Sequence, residues 1–132
     1  MPDTLAPPRR PATAAPAVAQ DPQVCLWEHV ARLVAWLDAA NGRGPHETAI
    51  RIIKIAEEAG EAASAYIGVT GQNPRKGTTA TADDLSAELC DVVLAALAAL
   101  VTITGGTPQA EARLARHVAA RWARLDIRRA AR

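Results

Sequence analysis

Phenylalanine is missing altogether, and aromatic residues make up only 3% of a chain that is 49% hydrophobic. Strands favour aromatic and β-branched side chains, so this shortage argues against a β-sandwich. Alanine dominates the apolar set and favours closely packed helices instead. Cysteine is almost absent too. Cys25 and Cys90 have no metal-ligand spacing; both fall on helix-like apolar segments and read as small buried hydrophobes of a reducing compartment. No charged stretch followed by an apolar core opens the chain, so no secretory signal is expected. The longest apolar run, 92–104, is shorter than a bilayer requires. A cytoplasmic protein with no membrane partner is therefore expected.

A strong charge of one sign is also lacking. The formal net charge is +1, but it is unevenly spread. Residues 1–20 carry Arg9 and Arg10 against Asp3, and residues 121–132 carry five Arg against Asp126. The segment between them is left at −4, which does not suggest a nucleic-acid groove, so no stable nucleic-acid partner is expected.

What is present is enough for one domain: 132 residues, with the first twenty set apart. Residues 1–20 hold five of the nine prolines and read as a disordered Pro/Ala-rich arm, with 21–132 as the helical domain. A first helix is expected from Asp21 or Pro22 to about Ala40, with Leu26, Val30, Leu33, Val34 and Leu37 at helical spacing. Asn41-Gly42-Arg43-Gly44-Pro45 breaks it. A second helix is expected from Pro45–Glu47 to about Gly68. Ile52, Ile53, Ile55, Ala56, Ala59, Ala63, Tyr66 and Ile67 form its broad apolar side, and Lys54, Glu57, Glu58 and Glu61 crowd the opposite arc. Ile50 intrudes on that arc. A polar Gly- and Pro-rich loop occupies 68–80. Thr81-Ala82-Asp83-Asp84 has capping-box spacing for a third helix reaching about Thr104. Gly105-Gly106 ends that helix. Thr107 and Pro108 open a fourth, whose Leu114, Val118, Trp122 and Leu125 are expected to point inward. The fold class is all-α, a four-helix bundle.

The chemistry lies in two acidic pairs. Three residues span about 300° of helix, so Glu58 and Glu61 share a face, as do Glu88 and Asp91. Beyond Asp91 the third helix is apolar on every side (Val92, Val93, Leu94, Leu97, Leu100, Val101, Ile103), which reads as a central helix. Glu88 and Asp91 are then expected near the mouth of the core. Unpaired carboxylates are costly there, and Mg²⁺ or Mn²⁺ would neutralise them. Either pair alone reads more readily as a solvated helix face or a first-turn bias toward the helix dipole; the two pairs together favour the metal. A di-iron bundle would need a His three residues after a Glu, and His29, His46 and His117 do not supply it. EF-hand and Walker-type loops are absent.

The paired pattern resembles the MazG-like nucleotide pyrophosphohydrolases, of the all-α NTP pyrophosphatase superfamily. Their Glu-Glu-x-x-Glu, spacer, Glu-x-x-Asp signature reads here as Glu57-Glu58-Ala59-Gly60-Glu61, 26 intervening residues, then Glu88-Leu89-Cys90-Asp91. The likeness covers roughly residues 22–104, in one unit and not the tandem arrangement of the longer MazG proteins. It implies hydrolysis of a nucleoside triphosphate to the monophosphate and pyrophosphate. It also implies Mg²⁺ held by Glu58, Glu61, Glu88 and Asp91, and assembly as a homodimer or homotetramer. Glu57 points about 100° away from Glu58 and is expected to orient water as a base. Lys54, Asn73, Arg75 and Lys76 are candidates for phosphate, and Trp27 or Trp36 for a base. Lys54 reads equally as a partner of Glu57 or Glu58 and the loop residues as an ordinary turn, while each tryptophan reads more readily as core. Two alternatives remain open: a non-catalytic module that binds nucleotide or a protein, and a helical adaptor whose C-terminal arginines dock on an acidic partner.

Overall fold

The computed structural model describes residues 26–130, all helix and connecting turns. The order is α1 (Leu26–Asn41), α2 (Pro45–Thr70), α3 (Ala82–Thr104) and α4 (Thr107–Ala130). This is the expected all-α four-helix architecture. The proposed arm 1–20, the start expected for the first helix at Asp21 or Pro22, and Cys25 lie outside the described residues. Side chains are described to Leu125.

Local chemistry sets the helix ends. Gly42 takes φ 80° after α1, and its N–H donates to the Asp38 carbonyl at 3.0 Å. Pro45 opens α2, where its missing N–H leaves no bond unmade. Gly71, at φ 60°, closes α2 in the left-handed conformation that suits glycine. α3 has a true capping box. The Thr81 hydroxyl accepts from Asp84 N–H at 3.1 Å, and Thr81 N–H donates to Asp84 Oδ2 at 2.7 Å. α4 begins at Thr107 itself, with Pro108 in its first turn.

α3 is the shared element. α1, α2 and α4 all pack on it, and α2 makes the longest contact. Val30 and Val34 of α1, Leu97, Ala98 and Val101 of α3 and Ala110 of α4 form the buried core. α3 is long and apolar enough, by length and composition, to cross a membrane, but only 22% of its apolar window is buried and Val93 and Ile103 are exposed, so it is less enclosed than its all-round apolar sequence suggests.

The apolar expectations need three corrections. α2 does not turn its broad apolar side to α3. The buried and half-buried line is Arg51, Ile55, Glu58, Ala62, Ala65 and Val69, while Ile52, Ile53, Tyr66 and Ile67 are exposed. Small side chains decide this. Ala62 and Ala65 leave room for α3 to approach, and Gly68 lets the loop before α3 come close, since any Cβ there would meet Thr79 Oγ1 at 2.7 Å. On α4, Val118, Trp122 and Leu125 are exposed and do not point inward. Cys90, expected to be buried, is exposed on α3.

One end of the α2–α3 contact is locked by Arg51, whose side chain is only 5% exposed. Its guanidinium meets Asp38 at 2.9 Å, Glu47 at 3.0 Å and Thr102 Oγ1 at 3.0 Å, and donates to the Gly42 carbonyl at 3.4 Å. A buried charge is tolerated when its donors are satisfied in this way. The lock ties three helices at one point.

The capping box gives a test. Thr81→Ala is expected to destabilise the chain by about 1 kcal/mol in denaturant unfolding. The hydrogen bonds from Thr81 N–H, then the Thr81 hydroxyl, hold the Asp84 carboxyl below its ordinary pKa. A lowered folded pKa favours folding above the unfolded value of about 3.9, and that contribution is lost as pH falls through the folded value. The gap in thermal midpoint between wild type and Asp84→Ala is therefore expected to shrink on acidification. A gap that widened toward acid would contradict this account.

Candidate metal centre

Glu58 comes from the middle of α2, on the line that faces α3. Glu88 and Asp91 come from the first half of α3, one turn apart. Each offers a carboxylate oxygen, and these atoms lie within 4.8 Å of one another. Glu58 and Glu88 are half-buried; Asp91 is exposed, so the group opens to solvent more than the sequence suggested. Glu61 is exposed beside Glu88. Partial loss of water raises the Glu88 carboxyl above the usual range, and the charges of Glu61, Asp91 and Glu58 raise it further. Three of the four carboxylates expected to hold metal thus converge, and the fourth borders them.

Among the described residues, Lys54 is the one cation drawn into this group. Its Nζ lies 2.6 Å from Glu57 Oε2 and 2.8 Å from Glu58 Oε1. Hydrogen bonds donated by Lys54 to Glu57 first, then to Glu58, keep the ammonium above the ordinary lysine range, so it stays charged. Glu57 stands outside the triad as Lys54's partner. Among the described residues, no lysine or arginine pairs with Glu61, Glu88 or Asp91. The donor set is all carboxylate oxygen, with Glu58 paired to Lys54 and Glu88 and Asp91 left without a described basic partner, which suits a hard divalent cation.

The acids sit where two concavities meet. On one side is a mostly apolar groove of ≈ 390 Å³ between α1 and α2, floored by α3. His29, Leu33 and Trp36 line it from α1, Ile50 and Lys54 from α2, and Leu94 from α3; Glu58 and Asp91 close its acidic end. On the other side is an open, more polar cleft of ≈ 600 Å³ bordered by Glu57, Glu61, Ser64, Thr79, Asp84 and Glu88.

The remaining candidates are not gathered here. Trp27 packs half-buried against the core, and Trp36 is the tryptophan that reaches the groove. Asn73 organises its own turn, accepting from Arg75 N–H at its side chain and from Lys76 and Gly77 N–H at its carbonyl. Arg75 and Lys76 are exposed on that turn. From this loop it is Thr79 and Ala80 that border the acidic cleft. Sequence reasoning missed the contribution of His29 and Leu33. For Ile50 there was a signal: an apolar residue out of place on the charged arc marks a lining position.

The like-charge geometry makes a prediction for the metal-free chain. Glu88→Gln is expected to raise the thermal midpoint in chelator, because it relieves repulsion among Glu58, Glu61 and Asp91. Added Mg²⁺ is expected to raise the wild-type midpoint and leave the variant's nearly unchanged. Equal Mg²⁺ responses in the two proteins would remove Glu88 from the centre.

No protein-family pattern, no curated protein and no solved structure matches the chain.

Proposed function

We propose that the chain is a Mg²⁺-dependent nucleoside triphosphate pyrophosphohydrolase of the MazG-like kind. Water would attack the α-phosphorus, the bond to the bridging oxygen would break, and the monophosphate and pyrophosphate would leave. The observation that carries this reading is the convergence of Glu58, Glu88 and Asp91 at the junction of the apolar groove and the open acidic cleft. The paired acidic signature supports it from the sequence side.

Each residue has work suited to its surroundings. Glu58, Glu88 and Asp91, with Glu61 at the edge, would hold Mg²⁺, or Mn²⁺ in its place. The bound cation would supply neutralisation of the triphosphate and a lowered pKa for the attacking water. The groove, with Trp36 and Leu33 on its wall, suits the flat, weakly polar face of a base. Lys54 lies between groove and acids, within reach of both Glu58 and a phosphate oxygen. Glu57, held by Lys54, can orient a water as general base. The exposed apolar side of α2 supports assembly as a homodimer or homotetramer.

The test is pyrophosphate release from a panel of canonical and damaged nucleoside triphosphates with Mg²⁺. Glu61→Gln and Asp91→Asn are expected to lower kcat by at least about a hundredfold, equivalent to several kcal/mol of lost charge stabilisation, while staying folded. Unchanged turnover in either would remove the metal assignment. Nucleotide binding without pyrophosphate release would leave the non-catalytic module. In the groove, Trp36→Ala is expected to raise KM about tenfold with kcat nearly kept, and Trp27→Ala to lower stability instead.

A further inference from the structure

α4 outruns the body it packs on. Ala110 is fully buried and Leu114 half-buried, but from 115 to 125 every residue is exposed. Two stripes run side by side along this outer length. Val118, Trp122 and Leu125 form an apolar one, 58%, 62% and 54% exposed. Each is preceded by a basic residue, His117, Arg121 and Arg124, so a basic stripe lies about 100° round the helix. Among the described residues, neither Arg121 nor Arg124 forms an ion pair. An exposed tryptophan flanked by arginines has the composition of an interface centre.

α2 carries the counterpart on its side away from α3. Ile53, Ala56, Ala63 and Ile67 are exposed there, and Glu57 and Glu61 lie about 100° round from them. The offset runs in the opposite rotational sense to that on α4. Two helices with mirror-related offsets, laid face to face in parallel, bring apolar stripe onto apolar stripe and basic residues onto acidic ones. Laid antiparallel, the charges fall on opposite sides.

Net charge selects the same pairing. α2 and α3 together carry eight acids against Arg51 and Lys54, while α4 carries six arginines against Glu111 and Asp126. Pairing α4 with α4, or α2 with α2, would set like charge against like. Pairing α4 with α2 sets −6 for the hairpin against +4 for the helix.

We infer that the outer half of α4 in one copy packs in parallel along the outer face of α2 in a second copy. Val118, Trp122 and Leu125 cover Ile53, Ala56 and Ala63, and Arg121 and Arg124 lie over Glu57 and Glu61. A two-fold axis repeats the contact, so each dimer has it twice. The contact uses Glu57 and Glu61, which the proposed catalysis also uses, so a bound cation and the second copy compete for these acids; the readouts, mass here and pyrophosphate release there, stay separate.

Sedimentation velocity of the full chain tests it. Wild type is expected to be dimeric at low salt, with affinity falling as salt rises from about 0.05 M to about 0.5 M. Arg121→Glu with Arg124→Glu is expected to weaken association at least about tenfold, and so is Glu57→Arg with Glu61→Arg. Mixing the two variants is expected to restore the dimer, since each copy then meets an opposite partner at both contacts. A monomeric wild type would overturn the inference, as would variants that dimerise unchanged or a mixture that stays monomeric. So would a monomer whose outer α4 binds a model polyanion (single-stranded DNA or heparin) and loses it on Arg121→Glu with Arg124→Glu; the partner of outer α4 would then be a nucleic acid or other polyanion.

Discussion

The close approach of α2 to α3 is the constraint on which the rest depends. Along α2 the contact line runs Arg51, Ile55, Glu58, Ala62, Ala65 and Val69. On α3 the same spacing carries Glu88, Val92, Ala95, Ala99 and Thr102 past it. Alanines at the centre bring the backbones near, and the Arg51–Thr102 bond fixes the far end. A carboxylate one turn along from such a line has little room to turn away. Small residues thus press like charges together, and the acidic convergence is a result of packing as much as of composition.

The charge balance at this seam is incomplete in a structured way. At one end Arg51 is fully satisfied by two acids, a hydroxyl and a carbonyl. At the other, Lys54 offsets Glu57 and Glu58 but leaves Glu61, Glu88 and Asp91 without a described basic partner. The first arrangement is a closed ion network and belongs to stability. The second keeps an excess of negative oxygen beside a groove and a cleft, a donor set that suits a hard divalent cation. The two cavities differ in polarity, a division that matches a molecule with a flat apolar end and a charged end.

Much of the apolar surface remains outside the folded chain. The isoleucines of α2 and the outer stripe of α4 are exposed although both are amphipathic at helical spacing. Periodicity reports that a face prefers burial; it does not report whether the partner lies within the same chain. The assumption of burial within one chain is why the inward reading of Val118, Trp122 and Leu125 failed. Charge supplies what periodicity lacks, because the acidic hairpin and the basic helix are complementary elements of one sequence.

Local chemistry made the helix boundaries legible. Thr81 with Asp84, Pro45 and Gly105 act within a few residues, so their effect needs no knowledge of the remaining chain. The i, i+3 spacing likewise fixed that Glu88 and Asp91 share a face. Glu58 and Glu88 are thirty positions apart, so their meeting depended on how two helices rotate against each other. Rotation also decided that Trp36 and not Trp27 reaches the groove, and that Arg51 finds Asp38 across a turn. The sequence by itself determined which residues lie on one helix and on one side of it. Tertiary structure alone decided which sides face each other, because that choice minimises the separation of whole backbones and is written in no single residue.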